Sequence, residues 1–522
     1  MQTSAIRRIV LVGLDGATWD IIDPMIKQGL LPNFQKIIQQ GVRGDLRSLK
    51  LTTSPRVWTS IATGKTEEKH GIYNFRNNIG DLKTKRIWNI FAEAGERVSI
   101  FYWYLTWPPQ KDVNGFMVPG FLARDSQTVP KELSFLKEIE LSEKMRFQES
   151  GKTSGLPFYL RSGYRALRNG VKFSTMIRVL KYLVCRLLKK NDELESFYQL
   201  QLIKLHLFGD VFNYILKNNP TELSMILFPQ PDQLGHKFWA FMEADEYEKR
   251  TGSHISNKLR TKYGNVIYNL YKEFDKIVGE IDSKLSNDDV LIIVSDHGFG
   301  LVEKSYASLK IKGNQFLRIL QLDKIADAMA VGINFIIKIN DNNSSINIQE
   351  VSKTIADIQT TDDNETLFKV THTQNEIILE LKNIFSMFLD DANSFLKKNL
   401  KIGEQIIPAK ELLVNRSDIT GEHRDIGVLI MKGRHISKNK TINKASVLDV
   451  VPTILYLKKM PVARDMDGTI LKETFDPEFV KGHPDKYIET YESDPRRYYD
   501  QKADYSMTEE LEARLKDLGY LD

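Results

Sequence analysis

Apolar runs that close on glycine or a polar residue recur at wide intervals: RIVLVGLD (Arg8–Asp15), RVSIFYW (Arg97–Trp103), LSMILFPQPD (Leu223–Asp232), DVLIIVSDHG (Asp289–Gly298) and IGVLIMKG (Ile426–Gly433). Short, Ile/Val-rich runs of this kind are strands buried on both faces, as in a parallel sheet covered by helices. Between them, stretches such as Leu31–Gln40 and Gly264–Leu285 place apolar residues three and four apart, the pattern of amphipathic helices. The alternation predicts an α/β core with a mainly parallel sheet.

Two stretches break the alternation. From about Pro130 to Asn219 the pattern is helical, and Lys and Arg are dense over Arg161–Lys190. From about Leu301 to Ser417 helical patterns mix with a β-like section, Glu365–Lys382, that reads as a hairpin. Both are read as insertions into one core: residues 1–130, 220–300 and 418–522 form the core, 131–219 a basic helical insertion and 301–417 a mixed one.

Composition narrows the class. A hydrophobic content of 42% with 27% charged residues is that of a globular chain. A net charge of +5 over 522 residues gives no reason to expect a nucleic-acid partner. With Cys185 as the single cysteine, neither an internal disulfide nor a cysteine-based zinc site can form. The first apolar run meets Asp15 after about six residues, short of the roughly 7–15 of a secretory segment. It reads as the first core strand, and the expected location is the cytoplasm. Val171–Lys190 is the nearest thing to a membrane span, but Lys172, Arg178, Lys181 and Arg186 interrupt it.

The chemistry lies at the strand ends. The first run closes on Asp15; the third reaches Asp232, followed by His236; the fourth closes on Asp296 and His297; His423 stands just before the last. In open α/β sheets the carboxyl ends of the strands are where ligands bind. Aspartate and imidazole are the usual ligands of zinc or manganese held without cysteine. Singly, each residue has a plain alternative, an N-cap for Asp15 or a hydrogen-bonded core histidine for the others. Three of only nine histidines in one such pattern outweigh it.

A hydroxyl candidate lies in LTTSPRVWTSIATGKTEEKHGI (Leu51–Ile72), where Ser54 and Pro55 precede a helical run and resemble an N-cap with proline at the first helical position. A helix N-terminus also favours phosphate, so Ser54 is a candidate nucleophile, with Thr52 and Thr53 as neighbouring competitors. ATGKT (Ala62–Thr66) imitates the end of a phosphate-binding loop, but Thr59 occupies the position of the first glycine.

Taken in order, VGLDGATWD, TTSPRVWTSIATGKTEEKHGI, FPQPDQLGHKFW, VSDHGFG, GEHRDIGVLI and VLDVVPTILYLKKMPVARDMDG resemble the motifs of the alkaline phosphatase superfamily, in its type I phosphodiesterase and nucleotide pyrophosphatase branch. The resemblance implies a three-layer α/β/α sandwich and a site with two divalent cations, zinc or manganese. Asp232, His236 and His423 would hold one cation, and Asp15, Asp296 and His297 the other. Counted back from Thr63-Gly64, Ser54 falls at the nucleophile position and would also meet the metal; the related enzymes more often carry Thr there. The implied function is hydrolysis of a small phosphodiester or phosphoanhydride through a covalent phospho-serine. The alternatives are a phosphomutase or phosphotransferase on the same site, or a silent binding module that kept the scaffold. For the basic insertion, the favoured reading is a solvated helix face whose apolar side packs on the core; the competing one is contact with an anionic substrate or membrane surface.

Overall fold

The computed structural model of the chain describes residues 6–111, 113–138, 140, 156–188, 190–302, 309–331, 334–339, 347–382, 394–415, 420–492, 508, 511–512 and 515. Its contacts divide into two compact units, one of Met1–Leu234, Tyr268–Phe299 and Arg424–Leu511, the other of Gly235–Ile267, Gly300–His423 and Glu512–Asp522.

The first unit is built on an eight-stranded sheet. Its strands are β1 (Ile9–Leu14), β2 (Gly41–Arg47), β3 (Val98–Phe101), β4 (Gly115–Val118), β5 (Leu223–Phe228), β6 (Val290–Val294), β7 (Ile426–Gly433) and β8 (Lys440–Ser446). They lie in the order β8-β2-β7-β6-β1-β5-β3-β4. All neighbours are parallel except the two pairs made by β7, which runs against both β6 and β2. Apolarity marked β7 as a strand; direction is set by the connections and is not written in the run itself. Strands β2 and β8 escape an apolar-run reading because they alternate buried and exposed residues toward the sheet's margin.

The helices that matter below are α1 (Trp19–Lys27), α2 (Pro32–Gln39), α3 (Ser54–Thr63), α4 (Leu156–Arg168), α5 (Phe173–Leu187), α6 (Glu193–Asn218), α7 (Gln230–Met242), α8 (Val266–Asp282) and α9 (Val450–Leu457). Helices lie on both faces of the sheet, α3 on one and α8 on the other. Gly13 of β1 lies opposite Leu227 of β5, and a Cβ at Gly13 would come within 2.6 Å of the Trp58 ring and 2.8 Å of Leu227, so this face looks to α3. Successive strand residues point to opposite faces. Phe228 accordingly meets Phe274 of α8, with ring centroids 5.6 Å apart, on the other side. The architecture is an α/β/α sandwich.

One buried ion pair fixes the start of the central strands. The Arg8 guanidinium donates to both oxygens of Asp289, at 3.0 and 2.5 Å, tying the entry of β1 to the entry of β6. Removing one partner of such a pair costs about 3–5 kcal/mol, because the other charge is left buried.

The basic insertion contributes α4, α5 and α6. Helix α6 packs on the sheet side through Phe212 against Phe101 and Phe208 against Tyr102. Helix α5 does not pack as expected. Thr175 is its one buried residue, whereas Phe173 is 73%, Leu180 62% and Leu187 82% exposed. The apolar side expected against the core is open to solvent.

The second unit has its own apolar core. The hairpin in Glu365–Lys382 pairs Phe368–His372 antiparallel with Glu376–Leu381, which continues through Asn334–Ile339 to Ala326–Val331. Phe316 packs against both Phe335 and Phe368 behind this sheet.

A buried histidine braces α3. The Ile72 N–H donates to His70 Nδ1 at 3.0 Å, so Nε2 carries the hydrogen toward Ser60 Oγ at 2.9 Å. Burial, and secondarily the Arg56 charge, hold His70 neutral and lower its pKa from 6.5 to about 3. A depressed folded-state value gives stability that is complete above about pH 6.5 and drains away as pH falls toward 3. Between pH 7.5 and pH 5, urea unfolding is expected to show a loss about 2 kcal/mol larger in wild type than in His70→Gln. Equal pH slopes in the two proteins would refute this account of His70.

Candidate metal centre

Strands β6, β1 and β5 are adjacent and parallel at the centre of the sheet, so their carboxyl ends share one edge. Asp15 follows β1, and its N–H continues the ladder to the Phe228 carbonyl at 3.0 Å. The helix after it is capped by Thr18, whose side chain accepts from the Asp20 N–H, so the Asp15 carboxylate is not used as a cap. Gly16 then turns the chain at a φ of 71°, and its N–H donates to Asp296 Oδ1 at 3.1 Å. A Cβ there would lie 3.3 Å from His297 Cε1, and the positive φ already favours glycine.

Asp296 and His297 follow β6. Nδ1–H of His297 donates to the Gly298 carbonyl at 2.9 Å, which leaves Nε2 toward the carboxylates: 3.4 Å from Asp296 Oδ2, 3.5 Å from Asp15 Oδ1 and 4.0 Å from Asp232 Oδ1. Asp232 stands in the first turn of α7, beyond β5. All four side chains are fully buried.

The hydroxyls of Thr53 and Ser54 part at the start of α3. The N-cap of α3 is Thr53, in extended conformation, and Ser54 is the first helical residue, one position later than the sequence suggested. Thr53 Oγ1 is engaged with the Tyr73 carbonyl at 2.9 Å, whereas Ser54 Oγ reaches Asp15 Oδ1 at 3.4 Å. The glycine of the imitation phosphate loop, Gly64, is simply the left-handed C-cap of α3, and Lys65 is tied to Asp465 and Glu492.

One residue of the cluster was not anticipated. Tyr104 lies just beyond β3, at the same edge of the sheet, and its hydroxyl donates to Asp15 Oδ2 at 3.4 Å. Burial, followed by the charge of Asp15, pushes this phenol up from its ordinary range. Its position after a core strand was the available signal.

His236 and His423 belong to the second unit and form a pair. His236 Nδ1–H donates to the Gly421 carbonyl at 2.8 Å, and its Nε2 lies 3.2 Å from Nε2 of His423. The His236 carbonyl is in turn held by the Thr420 N–H and hydroxyl, at 2.6 and 3.0 Å. Along α7, His236 follows Asp232 by one helical turn.

The residues of the first unit fit a cation. Asp15, Asp296 and His297 each offer a ligand atom within 4.8 Å of the other two. Asp296 Oδ2 is buried with no hydrogen-bond donor among the described residues. Burial first, and then neighbouring carboxylates, raise Asp15 and Asp296 well above the carboxylate range. A mixed oxygen and nitrogen set with the imidazole fixed by a carbonyl suits zinc or manganese.

In sequence, most of the chain matches a known family. Residues 9–384 match the family described as type I phosphodiesterase / nucleotide pyrophosphatase. No curated protein sequence matches the chain. Solved structures similar to it include human ectonucleotide pyrophosphatase/phosphodiesterase 5, at 14% identity and a TM-score of 0.48. An inactive murine form of the same protein, in complex with AMP, aligns at 13% identity and a TM-score of 0.49. Each alignment covers 90% of this chain and 100% of the other.

The raised carboxyls make a testable prediction for the metal-free protein. A folded-state pKa above the unfolded one gives stability that is present at low pH and lost as pH rises through the folded value. Asp15→Asn with Asp296→Asn is therefore expected to stabilise the metal-free protein at pH 8, by about 1–3 kcal/mol. In wild type, Zn²⁺ or Mn²⁺ at a hundredfold excess over Kd adds about 2.7 kcal/mol at pH 8 and less at pH 5. Thermal melts that respond to metal equally in wild type and the double variant would rule out this cluster as the binding site.

Proposed function

Because the chain belongs to the type I phosphodiesterase / nucleotide pyrophosphatase family, it is a hydrolase of phosphoric ester or anhydride bonds, and we propose that it works through Ser54 as a covalent nucleophile. The observation that supports this reading is the 3.4 Å approach of Ser54 Oγ to Asp15 inside the buried Asp15–Asp296–His297 cluster.

Asp15, Asp296 and His297 would hold one divalent cation; the family pattern assigns a second to Asp232, His236 and His423. When bound, the cations supply positive charge that lowers the pKa of the serine hydroxyl and offsets charge developing on the phosphoryl group. The protein's own part is placement. Ser54 opens a ten-residue helix, so the positive end of the helix dipole faces the phosphate it attacks. A bond forms from Oγ to phosphorus while one ester or anhydride P–O bond breaks, and the leaving oxygen departs with the displaced group. Water then attacks the phosphorus of the serine ester, releasing the phosphate product and restoring the hydroxyl. Tyr104, held against Asp15 in the buried site, keeps that carboxylate oriented and bulk water away from it.

Hydrolysis of bis-p-nitrophenyl phosphate with added Zn²⁺ or Mn²⁺ tests the assignment. Ser54→Ala is expected to lower kcat by about 10³-fold or more, and acid quenching of wild type during turnover should trap a phosphoester on the Ser54 peptide. Thr53→Ala should retain most of the activity, since its hydroxyl is committed to the Tyr73 carbonyl. Equal turnover by wild type and Ser54→Ala would remove Ser54 from the mechanism.

A further inference from the structure

Helix α5 carries an exposed apolar stripe. Phe173, Ile177, Leu180, Val184 and Leu187 recur at the spacing of one helix face, and all five are exposed, by 73, 53, 62, 46 and 82%. Single exposed apolar residues need no explanation, but a contiguous row of this size marks an interaction surface. The row is not an end frayed from the core. Asp210 of α6 pins the start of α5, accepting from the Lys172 N–H at 3.0 Å and from Thr175 Oγ1 at 2.6 Å, and so presents the outer face in a fixed way.

Charge says what covers it. Arg161–Lys190 contains nine Lys and Arg and no Asp or Glu; the next acidic residue is Asp192, the N-cap of α6. Arg178, Lys181, Arg186 and Lys190 project beside the stripe or around from it. A second copy of the chain would bring the same positive charge against this face and be repelled. An anionic phospholipid surface supplies both missing partners, acyl chains for the stripe and headgroups for the cations. The helix cannot cross such a membrane: fifteen residues span roughly 22 Å against about 30 Å of hydrocarbon, and no helix among the described residues is long and apolar enough. We propose that α5 is an interfacial anchor that lays this hydrolase on the surface of an anionic phospholipid bilayer.

Vesicle co-sedimentation tests it on the full-length protein. Wild type is expected to sediment with phosphatidylcholine vesicles containing phosphatidylglycerol at low salt, and weakly with pure phosphatidylcholine. Leu180→Glu with Val184→Glu should weaken binding to the anionic vesicles by about tenfold or more. Arg178→Gln with Lys181→Gln should weaken it about fivefold per charge, an effect that 0.5 M salt abolishes. Because Leu180, Lys181 and Val184 are exposed, Arg178 is half-buried, and all four are remote from the nucleophile in sequence, both variants should keep the wild-type melting temperature and turnover of the soluble diester. Absence of wild-type binding to anionic vesicles overturns the proposal, as does binding unchanged in the Leu180/Val184 variant. A dimer in light scattering that this variant dissociates, without vesicle binding, would instead assign the face to a second copy and equally overturn it.

Discussion

Three carboxylates buried at one edge of a sheet repel one another, and that repulsion is the constraint on which the first unit depends. Asp15, Asp232 and Asp296 are each withdrawn from water, and the imidazole of His297 is the group that faces all three. Burial alone disfavours a single ionised carboxylate by several kcal/mol, and each neighbour of like charge adds to the cost. A chain can meet that cost by taking up protons, the direction in which burial pushes Asp15 and Asp296, or by closing around positive charge. The orientation of His297, with its hydrogen turned away to the Gly298 carbonyl, prepares the second course.

The rest of the unit holds this costly arrangement in place. Trp58 of α3 lies over Gly13, two residues before Asp15, and the absence of a side chain at Gly13 is what lets the indole approach. The Trp58 carbonyl accepts from the Trp103 indole at 3.1 Å, while the rings of Trp58 and Trp103 meet edge to face at 5.0 Å. That contact also fixes the segment carrying Tyr104, so the hydroxyls of Ser54 and Tyr104 reach Asp15 through one aromatic cluster. Each side chain at the centre is thus positioned by packing outside it, as a preorganised site requires.

Much of this was legible in the sequence, for a definite reason. A strand buried on both faces has little choice of composition, so β1, β5 and β6 declare themselves, and an aspartate that ends such a run stands out against it. The marginal strands β2 and β8 are half solvated and read like loops. Tyr104 had only its place after a core strand to mark it, because the turn that carries it to Asp15 puts the flanking Tyr102 and Leu105, non-glycine residues, at φ of 61° and 54°, which no local pattern announces. Ser54 was read both as a cap and as a candidate nucleophile, because serine before proline usually caps; Thr53 takes the N-cap position instead, its hydroxyl given to the Tyr73 carbonyl, and only tertiary structure turns Ser54 Oγ to Asp15. Helical periodicity in α5 showed that an apolar face exists, but periodicity cannot say what lies against it.

That last distinction separates two kinds of exposed cost in this molecule. Inside, three carboxyl groups are gathered around the His297 imidazole; outside, a row of large apolar side chains is held in water on a helix otherwise rich in Lys and Arg. Neither feature lowers the free energy of the isolated fold. Relaxing either would be easy, since one polar substitution on α5 or one amide at the cluster removes the cost locally. Asp210 instead fastens the start of α5, and Gly16, Trp58 and Tyr104 lock the cluster. Rigid support given to groups that destabilise the free chain is the arrangement expected when their partners come from outside: cations at the sheet edge, and a surface both greasy and negatively charged along α5.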